Sequence, residues 1–235
     1  MGGREPSQLH TAPPGWNLGA AYRLIAELLL NPGFRDEKRV ARDLGCLSGS
    51  ALVEPIEAFL ASPRSADVDE YTLTLELAPP CPLYLGAYMY DEPSSCRGAG
   101  ASGRNGYMIE VAAIYEHFGF SVGGQELPDF VPVVIDFLAV SLEHPERDGI
   151  GLRRRLVDKF VRPGLPPLRK ALQKYESIYD RLLEALEMAV DEDLERMADD
   201  PILLTPEVKA TIPLHPAQQS SINDSVTGGD GSCRQ

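Results

Sequence analysis

Histidine is scarce in this chain, and His10, His117, His144 and His215 show neither H-x-x-x-H nor H-E-x-x-H spacing. A metal ion needs several such ligands converging on one point, so the histidines indicate no metal centre. Cysteine is equally sparse: Cys46, Cys81, Cys96 and Cys233 form no C-x-x-C pair and no cluster with histidine. Thiols scattered in this way read as reduced side chains and not as a disulfide framework. No G-x-S-x-G and no Cys–His arrangement supplies an activated nucleophile. No stretch reaches the roughly 18 consecutive apolar residues of a membrane helix, so no membrane span is expected. The opening stretch MGGREPSQLHTAPPGW lacks the apolar core of a signal peptide, and the expected location is the cytoplasm. Positive charge is also in short supply. Lys and Arg number 22 against 35 Asp and Glu, a net charge of −13, which repels nucleic acid and anionic lipid and favours basic partners.

What the chain does have is helical patterning. Its hydrophobic fraction of 43% over 235 residues is enough for a substantial core. The ends, residues 1–15 and 205–235, are rich in Gly, Pro, Ser, Asn and Gln and are expected to be disordered tails. Between them, residues 16–204 read as a single all-α domain. Asn17 can cap a helix through LGAAYRLIAELLL, with Leu18, Tyr22, Ile25 and Leu29 on one face and Pro32-Gly33 as its stop. FRDEKRVARDLGCL and SALVEPIEAFLA give two more helices. DEYTLTLELAPP is ambiguous: its alternation has the period of a strand, but no partner strand is evident, which favours a helix or an extended linker. CPLYLGAYMYDEP suggests a short aromatic helix carrying Tyr84, Tyr88 and Tyr90. GYMIEVAAIYEHFGF is a clear helix with Met108, Val111, Ala112, Tyr115 and Phe118 as its apolar stripe and Gly119 as its end. LRKALQKYESIYDRLLEALEMAV reads as one long amphipathic helix.

Several motifs invite a chemical reading. GAGASG, Gly98 to Gly103, matches the dinucleotide fingerprint letter for letter, but YDEPSSCR before it cannot be a buried strand, and a loop is expected instead. The run Asp191, Glu192, Asp193 reads as a solvated helix end. From Arg147 to Lys174, nine Arg or Lys meet two Asp, and the Arg153–Lys174 part is the basis of an alternative, an all-α nucleic-acid-binding or regulatory domain. The acidic total argues against it, and a solvated or internally paired helix is the simpler reading. ELPDFVPVVIDFLA remains. Proline suits the first helical turn, Asp129 as cap or first-turn residue would leave Pro132 unstrained, and Glu126 with Asp129 would complement the helix dipole. Val133, Val134, Phe137, Leu138 and Leu142 then make a broad apolar face. Capping explains Asp129; it explains Glu126 and Phe130 less readily.

These residues resemble a known family. YTLTLEL, the loop around Arg97-Gly98, the helix ending YEHFGF, and E-L-P-D-x-x-P with an acid four residues beyond its second Pro are similar to the nitrate reductase molybdenum cofactor assembly chaperones (NarJ), within the TorD/DmsD group of redox-enzyme maturation proteins. YRLIAELLLNP and LQKYESIYDRLLEAL look like that family's first and last helices, so the resemblance spans about residues 17–190. It implies a single-domain helical bundle in which Tyr71 to Leu77 is helical. It implies a cytoplasmic protein that is not an enzyme and holds no cofactor stably. Its partner would be the apo catalytic subunit of a molybdoenzyme of the dimethyl-sulfoxide reductase class, held by its N-terminal leader or tail until molybdopterin guanine dinucleotide is inserted. By the same resemblance, Glu126 and Asp129 would meet the leader's arginines, with the acids facing outward. Leu127, Pro128, Phe130 and Val134, with Tyr84 and Tyr88, would line the client surface. The family often has His where this chain has Phe130. Nitrate, chlorate, selenate, dimethyl sulfide and hydrocarbon-oxidising enzymes are all possible clients, and both a monomer and a domain-swapped dimer are compatible with the hinge-like loops.

Overall fold

The apolar residues of LGAAYRLIAELLL surround their helix on every side, and such a helix can only sit at the centre of a bundle. That is the position of α1 (Leu18–Leu28) in the computed structural model, which describes residues 17–77, 79–91, 103–123, 126–148 and 151–199. Asn17 caps it, accepting from the Ala20 N–H at 2.9 Å. Every residue from Leu18 to Leu29 is buried except Arg23, so burial extends well round the helix beyond the one face expected from the sequence. Leu24, Ile25 and Leu28 are completely buried, each contributing about 1.5–3 kcal/mol.

Around α1 lie α2 (Glu37–Gly45), α7 (Val131–Ser141) and α10 (Asp180–Arg196), with α7 making the broadest contact. α3 (Val53–Leu60) and α9 (Leu165–Lys174) pack on α10. α4 (Val68–Tyr71) runs on as a π-helical turn over Thr72–Glu76, so the ambiguous YTLTLE is helical. α5 (Gly86–Met89) packs on α6 (Gly103–His117), and α8 (Leu152–Arg155) continues through a π turn over Leu156–Val161. The fold is all-α. Among the described residues the β pairing is confined to one antiparallel bridge, Tyr84 with Phe130. The described residues all fall in one compact unit, Met1–Leu203. The tails expected over 1–15 and 205–235, and residues 98–102 of GAGASG, lie outside the described residues; Gly103 opens α6.

Three sequence expectations are corrected. The expected long C-terminal helix is two helices, α9 and α10, broken at Glu176. There the Ser177 N–H returns to the Leu172 carbonyl at 3.0 Å and the Glu176 N–H to that of Gln173 at 3.0 Å, with Glu176 at φ 50°. This is a Schellman stop with a non-glycine residue in the left-handed position. α6 ends with the same motif, but uses Gly119 at φ 81°. The buried face of α6 is Tyr107, Val111, Ile114 and Tyr115, one step round from the expected stripe, so Met108 and Ala112 are only half-buried. Of the three aromatic residues placed on the short helix, only Tyr88 is inside α5; Tyr84 precedes it in the bridge and Tyr90 follows it.

The acids at 191–193 are not uniformly solvated. Asp193 is 1% exposed and takes a bidentate pair from Arg153, both contacts at 2.6 Å, plus the Tyr22 hydroxyl at 2.7 Å. Arg153 Nε also donates to Ser141 Oγ at 2.9 Å, so one network joins α1, α7, α8 and α10. Burial first, then the neighbouring Asp193, pushes the Tyr22 hydroxyl well above its ordinary pKa. Much of the basic segment is paired internally as well: Arg155 with Glu110, Arg162 with Asp191, and Arg169 with Glu184 and Glu187.

Candidate functional site

ELPD forms a tight turn ahead of α7. Phe130 N–H donates to the Leu127 carbonyl at 3.1 Å, and the Tyr115 hydroxyl donates to that of Pro128 at 2.9 Å. Phe130, not Asp129, is the N-cap residue, and Pro132 sits in the first turn where its missing N–H costs nothing. The flanking backbone is held by Leu85 N–H to the Asp129 carbonyl at 3.1 Å and Val131 N–H to that of Leu83 at 2.8 Å. This pairing sets the Tyr84 ring 5.3 Å from that of Phe130, and the Tyr84 hydroxyl reaches Glu126 Oε2 at 3.0 Å. Partial burial, with Glu126 adding to it, raises the Tyr84 pKa.

Asp129 turns inward, contrary to the expectation that both acids face outward. It is 0% exposed, and its Oδ2 accepts from the Gly86 N–H at 3.0 Å and from Arg104 at 3.3 Å. A Cβ on Gly86 would lie 2.6 Å from that oxygen, so only glycine permits the approach. The cause is the short β pairing, which aims the Asp129 side chain back at α5 and α6. Glu126, by contrast, is exposed, as is Leu127, with Pro128, Phe130 and Tyr84 half-buried around them. Val134 is a core residue, pointing away from any surface. Tyr88 is half-buried on α5, its hydroxyl buried without a hydrogen-bond partner among the described residues.

Beside the turn, α1 and the start of α7 enclose a cleft of 450 Å³. Its apolar surface comes from Ala26, Leu30, Phe130, Pro132 and Val133, and its acids include Glu27, Glu126 and Asp136. Two arginines also line it, yet both are engaged: Arg39 with Glu27 at 3.4 Å and Arg23 with Glu143 at 3.0 Å. Asp136 is exposed and makes no hydrogen bond or ion pair with the described residues. The cleft therefore offers an apolar strip with accessible negative charge, which suits a segment that is apolar and basic. No group of three or more His, Cys, Asp or Glu among the described residues could hold a metal ion.

Of the residues singled out from the sequence, Glu126 and Phe130 line this cleft, Leu127, Pro128 and Tyr84 border it, and Asp129, Val134 and Tyr88 do not reach it. Sequence reasoning missed the contribution of α1 and understated Asp136. The sign of Asp136 was visible: it is the one acid inside the apolar run VPVVIDFLA.

No family model matches the chain. The nitrate reductase molybdenum cofactor assembly chaperone NarJ of Escherichia coli strain K12 is 30% identical over 99 residues, 40% of this chain, and its counterpart in strain O157:H7 is identical to the same extent. The match spans only 39% of the length of those relatives. A crystal structure from Archaeoglobus fulgidus, described as a redox enzyme maturation protein, superposes with a TM-score of 0.52 at 18% identity, over 79% of this chain and 99% of the other. The likeness in structure shows a shared all-α fold, and the resemblance to the NarJ chaperones read from the sequence is borne out over the matched part of the chain.

Proposed function

We propose that this protein is a cytoplasmic assembly chaperone, not an enzyme, that binds the apo catalytic subunit of a molybdoenzyme of the dimethyl-sulfoxide reductase class. It holds that subunit until molybdopterin guanine dinucleotide has been inserted, delaying assembly or export. The observation that carries this reading is the cleft between α1 and α7, with its apolar surface of Leu30, Phe130 and Val133 bordered by Glu126 and Asp136. A twin-arginine leader or similar N-terminal segment is basic at one end and apolar along its middle, so it complements both features at once.

The work is binding and release. An amphipathic client helix would lay its apolar side on the cleft, while the net charge of −13 steers its basic end inward from a distance. Occupancy of the leader keeps it from other partners, and no bond is made or broken by the chaperone. The NarJ relatives carry nitrate reductase in their name, and enzymes acting on chlorate, selenate, dimethyl sulfide or hydrocarbons present the same client chemistry. The basic segment near Arg153 does not favour a nucleic-acid role, because Arg153, Arg155 and Arg169 are spent on internal carboxylates.

The test is metal content. The catalytic subunit is purified from strains with and without this protein, and its molybdenum is measured by mass spectrometry. Depleted cofactor in the strain lacking it is expected; equal loading in both would refute the proposal.

A further inference from the structure

The cleft does not stop at the crest of α7. Val133 and Asp136 also border a second, smaller chamber of 130 Å³, whose other walls are Tyr115 of α6, Phe120, Ser121 and Val122 of the segment after it, and Phe137 and Val140. An apolar cavity of about 150 Å³ is large enough for a benzene ring, whereas pockets for whole small-molecule ligands start at about 300 Å³. This chamber therefore has room for one aromatic or branched side chain and little else.

Its walls are packed against one another. The Tyr115 and Phe137 rings lie 4.5 Å apart, Phe118 and Phe137 meet edge-on at 5.3 Å, and the Tyr115 hydroxyl is tied to the ELPD turn through Pro128. Arg147 donates to the Phe118 carbonyl and sits 5.9 Å over the Phe120 ring, which holds the 118–122 segment against α7. At the boundary of the two spaces stands Asp136, an exposed carboxylate without a partner among the described residues. An exposed acid on an otherwise apolar strip contributes nothing to packing there, and its charge complements a cation arriving with a ligand.

Resting on the chaperone reading, the geometry points to a two-part specificity site for the client segment: a large apolar side chain enters the chamber between Phe120 and Phe137, and a Lys or Arg of the same segment pairs with Asp136. On a client helix, groups meeting neighbouring points of one face are spaced three or four residues apart. The site thus reads a pattern, Phe or Leu followed or preceded at that spacing by a basic residue, and not hydrophobicity alone.

The test uses the full chain and overlapping client peptides of about 15 residues, roughly four helical turns, drawn from the molybdoenzyme catalytic subunits of the same genome. Binding is measured by fluorescence anisotropy. Peptides with the pattern are expected to bind best. Asp136→Asn should weaken them about 3–10-fold while leaving cation-free analogues unchanged, and Asp136→Lys should transfer the preference to peptides bearing an acid at the same position. Val122→Trp should close the chamber and discriminate against the large apolar side chain, with Ser121→Trp as a second blocking variant; both positions are at least partly exposed, and melting temperatures report whether the fold is kept. An Asp136→Asn protein that keeps the unaltered protein's preference for cation-bearing over cation-free peptides, or Trp variants that both keep its preference for the large apolar side chain, overturns the two-part site. Failure of every peptide to bind the unaltered protein overturns the chaperone reading itself.

Discussion

Replacing Asp129 and Glu126 separately by Ala distinguishes a buried brace from a client contact. In Asp129→Ala the Gly86 N–H loses its acceptor at 3.0 Å and Arg104 loses its contact at 3.3 Å. A hydrogen bond to a charged group contributes about 1.5–3 kcal/mol. The Arg104 contact is weaker, since its side chain is 21% exposed and partly screened. Against these losses stands the relief of a buried carboxylate whose Oδ1 has no partner. The net is a loss of about 2–3 kcal/mol, which for a domain of this size lowers the melting temperature by about 4–12 °C. Glu126 is exposed and gives up only the Tyr84 hydroxyl bond, so Glu126→Ala should change stability by no more than about 0.5 kcal/mol. Its effect should appear as slower association with a basic client peptide and a weaker dependence on salt. Thermal melts followed by circular dichroism, with stopped-flow binding at two ionic strengths, separate the two. An Asp129→Ala protein that melts like the unaltered one yet no longer binds would refute this, because the acid would then be reaching the client directly.

The Arg153–Asp193 pair should be costly to break from one side: Asp193→Ala leaves a buried guanidinium uncompensated and is expected to lose about 3–5 kcal/mol in urea denaturation, whereas a double replacement with apolar residues should recover much of it. Glu176→Gly should stabilise by about 0.5–1 kcal/mol, because glycine adopts φ 50° without the Cβ penalty, and a melting temperature that falls would contradict that assignment. In alkali, the buried Tyr22 is held neutral well above its ordinary value, and burial pushes Tyr179 up to about 12. With folded pKa values raised above the unfolded one near 10, their stabilisation is complete below about pH 10 and is lost as pH climbs toward the folded values. Unfolding measured from pH 8 to 11 should therefore be flat at first and then decline, and Tyr22→Phe should make the decline shallower.

Local signals were reliable where local physics decided the outcome. Asn17 before an apolar run, Gly119 after one, and a proline placed to begin α7 all appear in the structure as the cap, stop and first turn that their chemistry demands. They misled where a distant group intervened. Asp193 looked like one of three solvated acids until Arg153 and Tyr22, remote in sequence, met it in the core. Glu176 carries no breaker signal, yet it ends α9. The candidate cleft was half legible: Glu126 and Phe130 came from the motif, while Leu30 and Ala26 came from α1, which nothing in the motif could nominate.

By itself the sequence determined an acidic, all-helical chain, because period, caps and charge are properties of neighbouring residues. It also determined that ELPDFVP would start a helix. Only the tertiary structure decided which of its acids is available. The bridge between Tyr84 and Phe130 turns Asp129 inward onto Gly86 and leaves Glu126 and Asp136 outside. That choice depends on two segments more than forty residues apart pairing their backbones, as the Gly86 contact with Asp129 at a separation of 43 makes plain, and no local pattern encodes the direction in which such a pairing will aim a side chain.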